Sequence, residues 1–459
     1  MLYRRPPYLA GPATMAAGVA LFCGAALING GPFIYPDTTN YLADGHALIR
    51  LGAPGNVRPV FYGLATEFLH GERNVWPVLV AQALVLVHLV SVTLRVIDRT
   101  VPKRLQLLLF AALAILTPVS WYVAYVLPDV FTAVVALTLY LLGCCRDRLT
   151  RAETIYLTLL GAAAISFHLT HLILAGAITG AWWLLWLAWR AGRPMLRPAL
   201  ASIPLLLAVL GLLTSSEVLY QRLSLDPKSP PHLMARLIAD GPGRDYLRTQ
   251  CGTTPYWLCS HLDQLPGTEN GILWRYMSGL PDADHRTVVA QAGDIVRGTI
   301  ETYPVAVALH MLANTGRQLV SIGSGFEFDR AMWRGLERED PFIASAARNS
   351  LQLRGLLTES VLTPLNTLHA LVAAASLAFG LVFALQCGGR RLYRPALLVG
   401  VVLLSLLANA FATGALGGVF GRYEGRLIWL LPLSAAMAAL ALARSRRPVR
   451  TSQLQAVTT

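Results

Sequence analysis

Apolar stretches long enough to cross a hydrocarbon core of ~30 Å recur along this chain, which leaves few alternatives to a bundle of membrane helices. Ten segments are read as spans: roughly 11–33, 76–96, 105–125, 130–145, 154–167, 172–189, 198–217, 366–386, 396–417 and 427–443. The fourth and fifth are short. With 55% hydrophobic and only 14% charged residues, a water-soluble fold of this length would lack polar surface. The expected fold is an all-α polytopic membrane protein of about ten transmembrane helices. The first segment closely follows Arg4 and Arg5 without a convincing cleavage site, so it is expected to remain as a span.

A formal charge of +13 on a soluble surface would point to nucleic acid, but its distribution here points to topology. With the N-terminus inside, the inner segments carry basic clusters around Arg95–Arg104, Arg146–Arg151, Arg190–Arg197, Arg390–Arg394 and Arg444–Arg450. Only Asp98, Asp147 and Glu153 offset them. The positive-inside rule then places both termini in the cytoplasm. The expected location is a bacterial inner membrane, with no nucleic-acid partner.

Four parts follow. Residues 1–217 form an N-terminal module of seven spans with a long first outer loop, 34–75. Residues 218–365 form a helical extracytoplasmic insertion, 366–445 a module of three spans, and 446–459 a basic cytoplasmic tail. In the first outer loop, Tyr41, Leu42, Ala47 and Leu48 recur at helical intervals and predict a surface helix over Thr39–Leu51. In the insertion, His232–Leu247 reads as a helix stopped at Gly241-Pro242-Gly243 before a new start. Asp284–Tyr303 reads as an amphipathic helix. Val305–Ile322 reads as a helix resting on the membrane or the bundle, since an eleventh span would carry Arg390, Arg391 and Arg394 outside.

Cys23, Cys144, Cys145 and Cys387 lie in or beside spans and suit apolar packing. Cys251 and Cys259 lie in the outer insertion, where oxidation is permitted, and a disulfide between them is expected. A zinc site is the weaker alternative, for want of a second Cys/His pair at the usual spacing.

Two dipeptides, Pro36-Asp37 and Pro128-Asp129, stand at the outer ends of the first and third spans. A carboxylate at the membrane boundary loses hydration, so such acids are functional candidates. Each also suits a helix start: Asp37 as N-cap of the 39–51 segment, Asp129 as cap of the fourth span. Asp44, His46 and Arg58 share the first loop. Arg58 suits a lipid-linked phosphate, or equally an ordinary headgroup. His168 and His171 are three apart at another outer turn, a weak metal pattern that boundary hydrogen bonding also explains. Gly421-Arg422-Tyr423-Glu424-Gly425-Arg426 reads as a short outer loop before the last span. Arg422 and Arg426 run against the charge bias of such loops, which suggests an anionic ligand, though Glu424 is an alternative partner.

These features together resemble the polytopic glycosyltransferases of the GT-C superfamily. The similarity lies in the first-loop Pro-Asp, the surface helix, Arg58-Pro-Val-Phe-Tyr62, the second Pro-Asp and Arg422-Tyr423. The protein mannosyltransferase and aminoarabinose transferase branches offer the comparison, chiefly over residues 1–190. The resemblance implies a GT-C-like fold in which Asp37 acts as base or acceptor-orienting group. It implies that Asp129 supports Asp37 or a divalent ion, Mg²⁺ or Mn²⁺, and that the donor is a polyprenyl-phosphate-linked sugar. The chain departs from those branches where Thr38-Thr39 follows Asp37 and where the soluble part is an insertion.

The function expected is inverting transfer of a sugar to a glycan, lipid or protein acceptor on the outer face, among membrane lipids. Alternatives are a non-catalytic transporter or flippase for a lipid-linked phosphate, and an envelope assembly scaffold.

Overall fold

The computed structural model describes residues 11–52, 58–190, 193–226, 231–324, 341–386 and 392–445. The basic tail, Cys387, Arg390, Arg391 and Asn56-Val57 lie outside them. Among the described residues, six helices are long and apolar enough to cross a membrane: Trp76–Ile97, Thr170–Ala188, Pro198–Tyr220, Glu359–Gln386, Tyr393–Ala415 and Gly421–Ser445. Two shorter apolar helices, Pro12–Phe22 and Pro128–Cys144, match the first and fourth expected spans. The chain is an integral membrane protein built of helices.

In chain order the helices up to the insertion are α1 (Pro12–Phe22), α2 (Gly24–Asn29), α3 (Pro36–Arg50), α4 (Val60–His70), α5 (Trp76–Ile97), α6 (Lys103–Leu116), α7 (Val119–Ala124), α8 (Phe131–Cys144), α9 (Arg151–Ser166), α10 (Thr170–Ala188) and α11 (Pro198–Tyr220). Then come α12 (His232–Asp240), α13 (Pro242–Gln250), α14 (Glu269–Gly271), α15 (Asp282–Thr302), α16 (Pro304–Val320), α17 (Pro341–Ala347), α18 (Glu359–Gln386), α19 (Tyr393–Ala410), α20 (Gly421–Ile428) and α21 (Leu430–Ser445).

Helix α8 is the centre of the bundle. Every residue from Thr132 to Cys144 is buried, as expected of a helix that is apolar all round. The third expected span is interrupted: α6 ends at Leu116, Thr117 is extended and Pro118 is the N-cap of α7. A proline cannot continue the i→i−4 ladder, which accounts for the break.

One end of the bundle gathers the three acids assigned to the inner side. Arg95 pairs with Glu153 at 2.6 Å, Arg444 with Asp98 at 2.6 Å and Arg394 with Asp147 at 2.7 Å. The opposite end holds Asp37, and its chain crossings are tightly fixed. The Phe33 N–H donates to the Ala124 carbonyl at 2.9 Å. Gln352 brackets Ile34, accepting from its N–H at 3.0 Å and donating to its carbonyl at 2.8 Å. Tyr62 donates to Gln82 at 2.9 Å, and Gln82 donates to the Val123 and Tyr125 carbonyls at 2.9 and 3.0 Å.

Helices α3 and α4 cross with backbone against backbone at Gly45 and Gly63, where a Cβ on either would overlap the other helix. Beyond the bundle, α12, α13 and α15 enclose a separate apolar core that includes Met234, Ile238, Leu247, Leu258, Ile272 and Ile295. Cys251 and Cys259 are disulfide-bonded at its margin. The break after Asp240 falls at Gly241, whose φ of +112° only glycine adopts readily.

Helix α16 lies against the bundle. Its Asn314 and Gln318 are buried beside Gly414, while Val305, Leu309 and Leu312 remain exposed.

Candidate active site

Helix α3 begins three residues earlier than the sequence suggests, at Pro36 rather than Thr39. Tyr35 is its N-cap and Pro36 its first residue, with the Tyr35 N–H donating to the Thr38 hydroxyl at 3.1 Å. Asp37 is therefore not the cap. It stands in the first turn, where the helix dipole favours an anion, and its side chain is free to turn outward. Arg58 donates through Nη2 to Asp37 Oδ1 at 2.5 Å. Asp44, about two turns along the same face, accepts from the Arg58 backbone N–H at 3.0 Å and fixes that loop. The guanidinium of Arg58 also lies 5.9 Å from the centre of the Tyr41 ring.

Asp129 does not cap α8 either. The cap position is Val130, without a side-chain hydrogen bond, and Asp129 sits in a 3₁₀ turn before it. Its carboxylate instead accepts from Arg426 Nη1 at 3.2 Å.

The segment expected to be a short loop at 421–426 is helical in this structure, as α20. Hydropathy alone begins the last span only at 427 because Arg422, Glu424 and Arg426 count against an earlier start. All three are nonetheless buried: Arg426 and Glu424 find hydrogen-bond partners inside, and Arg422 lies between two carboxylates. Arg426 donates to Asn409 Oδ1 at 2.6 and 3.2 Å and to Thr170 Oγ1 at 3.2 Å. Asn409 in turn donates to Glu424 at 2.9 Å and to the Tyr423 carbonyl at 2.7 Å.

Arg422 joins the two acids. Its Nη2 lies 3.7 Å from Asp37 Oδ2 and its Nη1 3.8 Å from Asp129 Oδ2. The guanidinium stacks 3.8 Å above the Tyr35 ring, a favourable cation–π distance. Tyr423 lies 5.1 Å from it and 5.3 Å from Arg426. The helix start is held from below: the Tyr122 hydroxyl donates to the Arg422 carbonyl at 2.7 Å and approaches that of Gly323 at 2.9 Å.

Among the other sequence candidates, His168 reaches the cluster through Thr170, its Nδ1 lying 2.8 Å from the hydroxyl that also accepts from Arg426. His171 spends both ring nitrogens elsewhere, Nδ1 on the Ala164 carbonyl at 2.7 Å and Nε2 on Thr132 at 2.8 Å. His46 does not join the cluster; it pairs with Glu72 at 2.7 Å, partly exposed. Residues that the sequence does not single out include Tyr35, Tyr122, Thr170 and Asn409. Only Asn409 carries a signal, as an amide within an apolar span.

Burial acts to raise the Asp37 carboxyl, but the charges of Arg58 and Arg422 outweigh it and hold the group below the usual carboxylate range. Burial would correspondingly lower Arg58, and Asp37 reverses that. Burial, reinforced by Arg426, holds His168 well below the ordinary histidine range.

Three guanidiniums thus face two carboxylates. Arg422 Nε and Nη1 and Arg58 Nε are buried without a hydrogen-bond partner. A divalent cation suits this set poorly, because Arg422 already lies between Asp37 and Asp129. No cluster of three or more His, Cys, Asp or Glu fit to hold a metal occurs among the described residues. The unspent donors suit an anion instead.

No family model matches the chain, and no curated protein matches it. Among solved structures, that of ArnT from Cupriavidus metallidurans bound to undecaprenyl phosphate is similar at 16% identity. The match covers 93% of this chain and 77% of that one, with a TM-score of 0.35. At that score the likeness carries neither a residue nor a ligand across.

Proposed function

We propose that this protein is an inverting glycosyltransferase of the GT-C kind. It moves a sugar from a polyprenyl-phosphate donor to an acceptor on the extracytoplasmic face of a bacterial inner membrane. The observation that carries the reading is the set of buried, unspent guanidinium donors on Arg422 and Arg58 beside two carboxylates. Buried donors without partners cost about 1–3 kcal/mol each, so the site is built for a group that completes them.

A phosphate monoester or diester does so with the planar fork of arginine. The polyprenyl chain of such a donor remains in lipid, which fits an integral membrane protein. Arg422 and Arg58 bind the phosphate and stabilise the charge that grows on it as the bond to the anomeric carbon breaks. Asp129 and Asn409 hold Arg426, and Asp129 helps to hold Arg422. Asp37, ionised between Arg58 and Arg422, accepts a hydrogen bond from the acceptor hydroxyl and aims it at the anomeric carbon.

The test uses the full chain in nanodiscs. Undecaprenyl phosphate is titrated in, and a panel of undecaprenyl-phosphate-linked monosaccharides is then assayed for release of free undecaprenyl phosphate. Saturable binding and release from one panel member, lost in Asp37→Asn, support the transferase. Binding without release from any member supports a lipid-linked-phosphate carrier. Absence of binding rejects both.

A further inference from the structure

Asp37 is poorly suited to take a proton, because its carboxylate is engaged by Arg58 at 2.5 Å and faces Arg422. A second acid–base pair approaches it from the insertion. His232 is the first residue of α12, with its side chain one third exposed, and its Nδ1 lies 3.7 Å from Oε1 of the buried Glu269. The pair stands beside Gly418, four residues ahead of the Arg422 that faces Asp37.

The pair is seated on the chain that leads into α20. A Cβ on Gly418 would meet Glu269 Oε2 and the Phe420 ring, so the carboxylate lies directly on that glycine. Arg236, one turn beyond His232, reaches the Gly417 carbonyl at 3.4 Å and pairs with Asp240 at 2.8 Å. Asp240 also accepts from Asn314 at 2.8 Å. Gln318 brackets Phe420, donating to its carbonyl at 2.8 Å and accepting from its N–H at 2.9 Å. The insertion is therefore locked to the segment that positions Arg422. Trp274, half-exposed, sets its ring 6.0 Å from that of His232 and walls one side.

We propose that His232, paired with Glu269, takes the proton of the acceptor hydroxyl at the Asp37 site. The inference rests on the transferase reading and assigns its proton. The Glu269 carboxylate lies 3.7 Å from Nδ1, where its charge favours the imidazolium that forms as Nε2 accepts. The acceptor oxygen forms its bond to the anomeric carbon as the carbon–oxygen bond to phosphate breaks. The electron pair of that bond leaves with the polyprenyl phosphate. The hydroxyl proton passes to Nε2, and Glu269 balances the imidazolium until the proton leaves to water.

The test measures release of undecaprenyl phosphate from the panel donor that the wild-type chain consumes. His232→Gln and His232→Ala are expected to lower kcat by about 10²–10⁴-fold with KM for the donor little changed. Added imidazole is expected to restore part of the rate to His232→Ala and none to Asp37→Asn. Glu269 is buried, so Glu269→Gln is paired with a thermal-unfolding control, and the His232 variants decide the outcome. Unchanged kcat in both His232 variants overturns the inference and leaves the transferase reading standing. Absence of release by the wild-type chain overturns both.

Discussion

Truncating Arg422 separates the two consequences of its position. The side chain is 6% exposed, lies 3.7 and 3.8 Å from the two carboxylates, and stacks on Tyr35. Breaking a buried ion pair from one side costs about 3–5 kcal/mol when the partner is left alone. Here Asp37 keeps Arg58 and Asp129 keeps Arg426, and both Arg422 contacts are longer than hydrogen bonds. The stability cost of Arg422→Ala is therefore expected nearer ~1–2 kcal/mol, toward or below the lower end for a charged hydrogen bond. The effect on ligand is larger in proportion. A charge-assisted contact to phosphate is worth about 1.5–3 kcal/mol, or roughly 10–150-fold in Kd. Arg422→Lys keeps the charge but loses the fork and the ring stacking, so it is expected between the two. The assay is titration of undecaprenyl phosphate into nanodisc-held protein, with thermal unfolding measured on the same samples. Arg444→Ala, which removes a pair at the other end of the bundle, is the control. A folded Arg422→Ala protein that binds within about 3-fold of wild type would refute the assignment of Arg422 to an anion.

Three further outcomes follow from the geometry. Asp37 ionises below its ordinary range, so its contribution to stability is present above about pH 4 and is lost as pH falls toward its folded value. Asp37→Asn should therefore lower the melting temperature at neutral pH, with the gap closing on acidification; a gap independent of pH contradicts the pairing. Gly45→Ala places a methyl in the backbone of Gly63, and is expected to cost about 1–3 kcal/mol and to weaken undecaprenyl phosphate binding by displacing α3. Thermal melts and the same titration check it. Replacing both Cys251 and Cys259 by serine opens a loop of sequence separation 8 and removes about 2–3 kcal/mol of local stability. Hydrogen exchange should then quicken over 232–302 while the spans stay protected, and uniform loss across the chain would argue against a local effect.

Local rules are enough to make several elements legible in the sequence. The apolar spacing of Val288, Val289, Ala292, Ile295 and Val296 marks α15 to within a few residues, and Gly241-Pro242 marks the boundary between α12 and α13. Contacts between distant segments are not legible in this way. His232 and Glu269 approach Asp37 only because α12 docks on residues 417–420, and nothing in either local sequence encodes that docking. Glu269 belongs to a helix of 3 residues, too short to show a period. Gln352 reads as an ordinary polar residue until it is found bracketing Ile34.

The arginines of α20 fall between these cases. Helix α8 has 14 residues, so it spans about 21 Å, well short of a hydrocarbon core of ~30 Å. A central helix that stops short leaves the acid before it within protein, where it needs a cation from another segment. That cation comes from α20, whose Arg422 and Arg426 run against the charge bias in the sequence. The shortness of the fourth span and the misplaced charges of the last are thus two sides of one constraint. Lengthening α8 by a turn would carry Asp129 away from Arg426, and the arginines would lose the carboxylate that permits their burial.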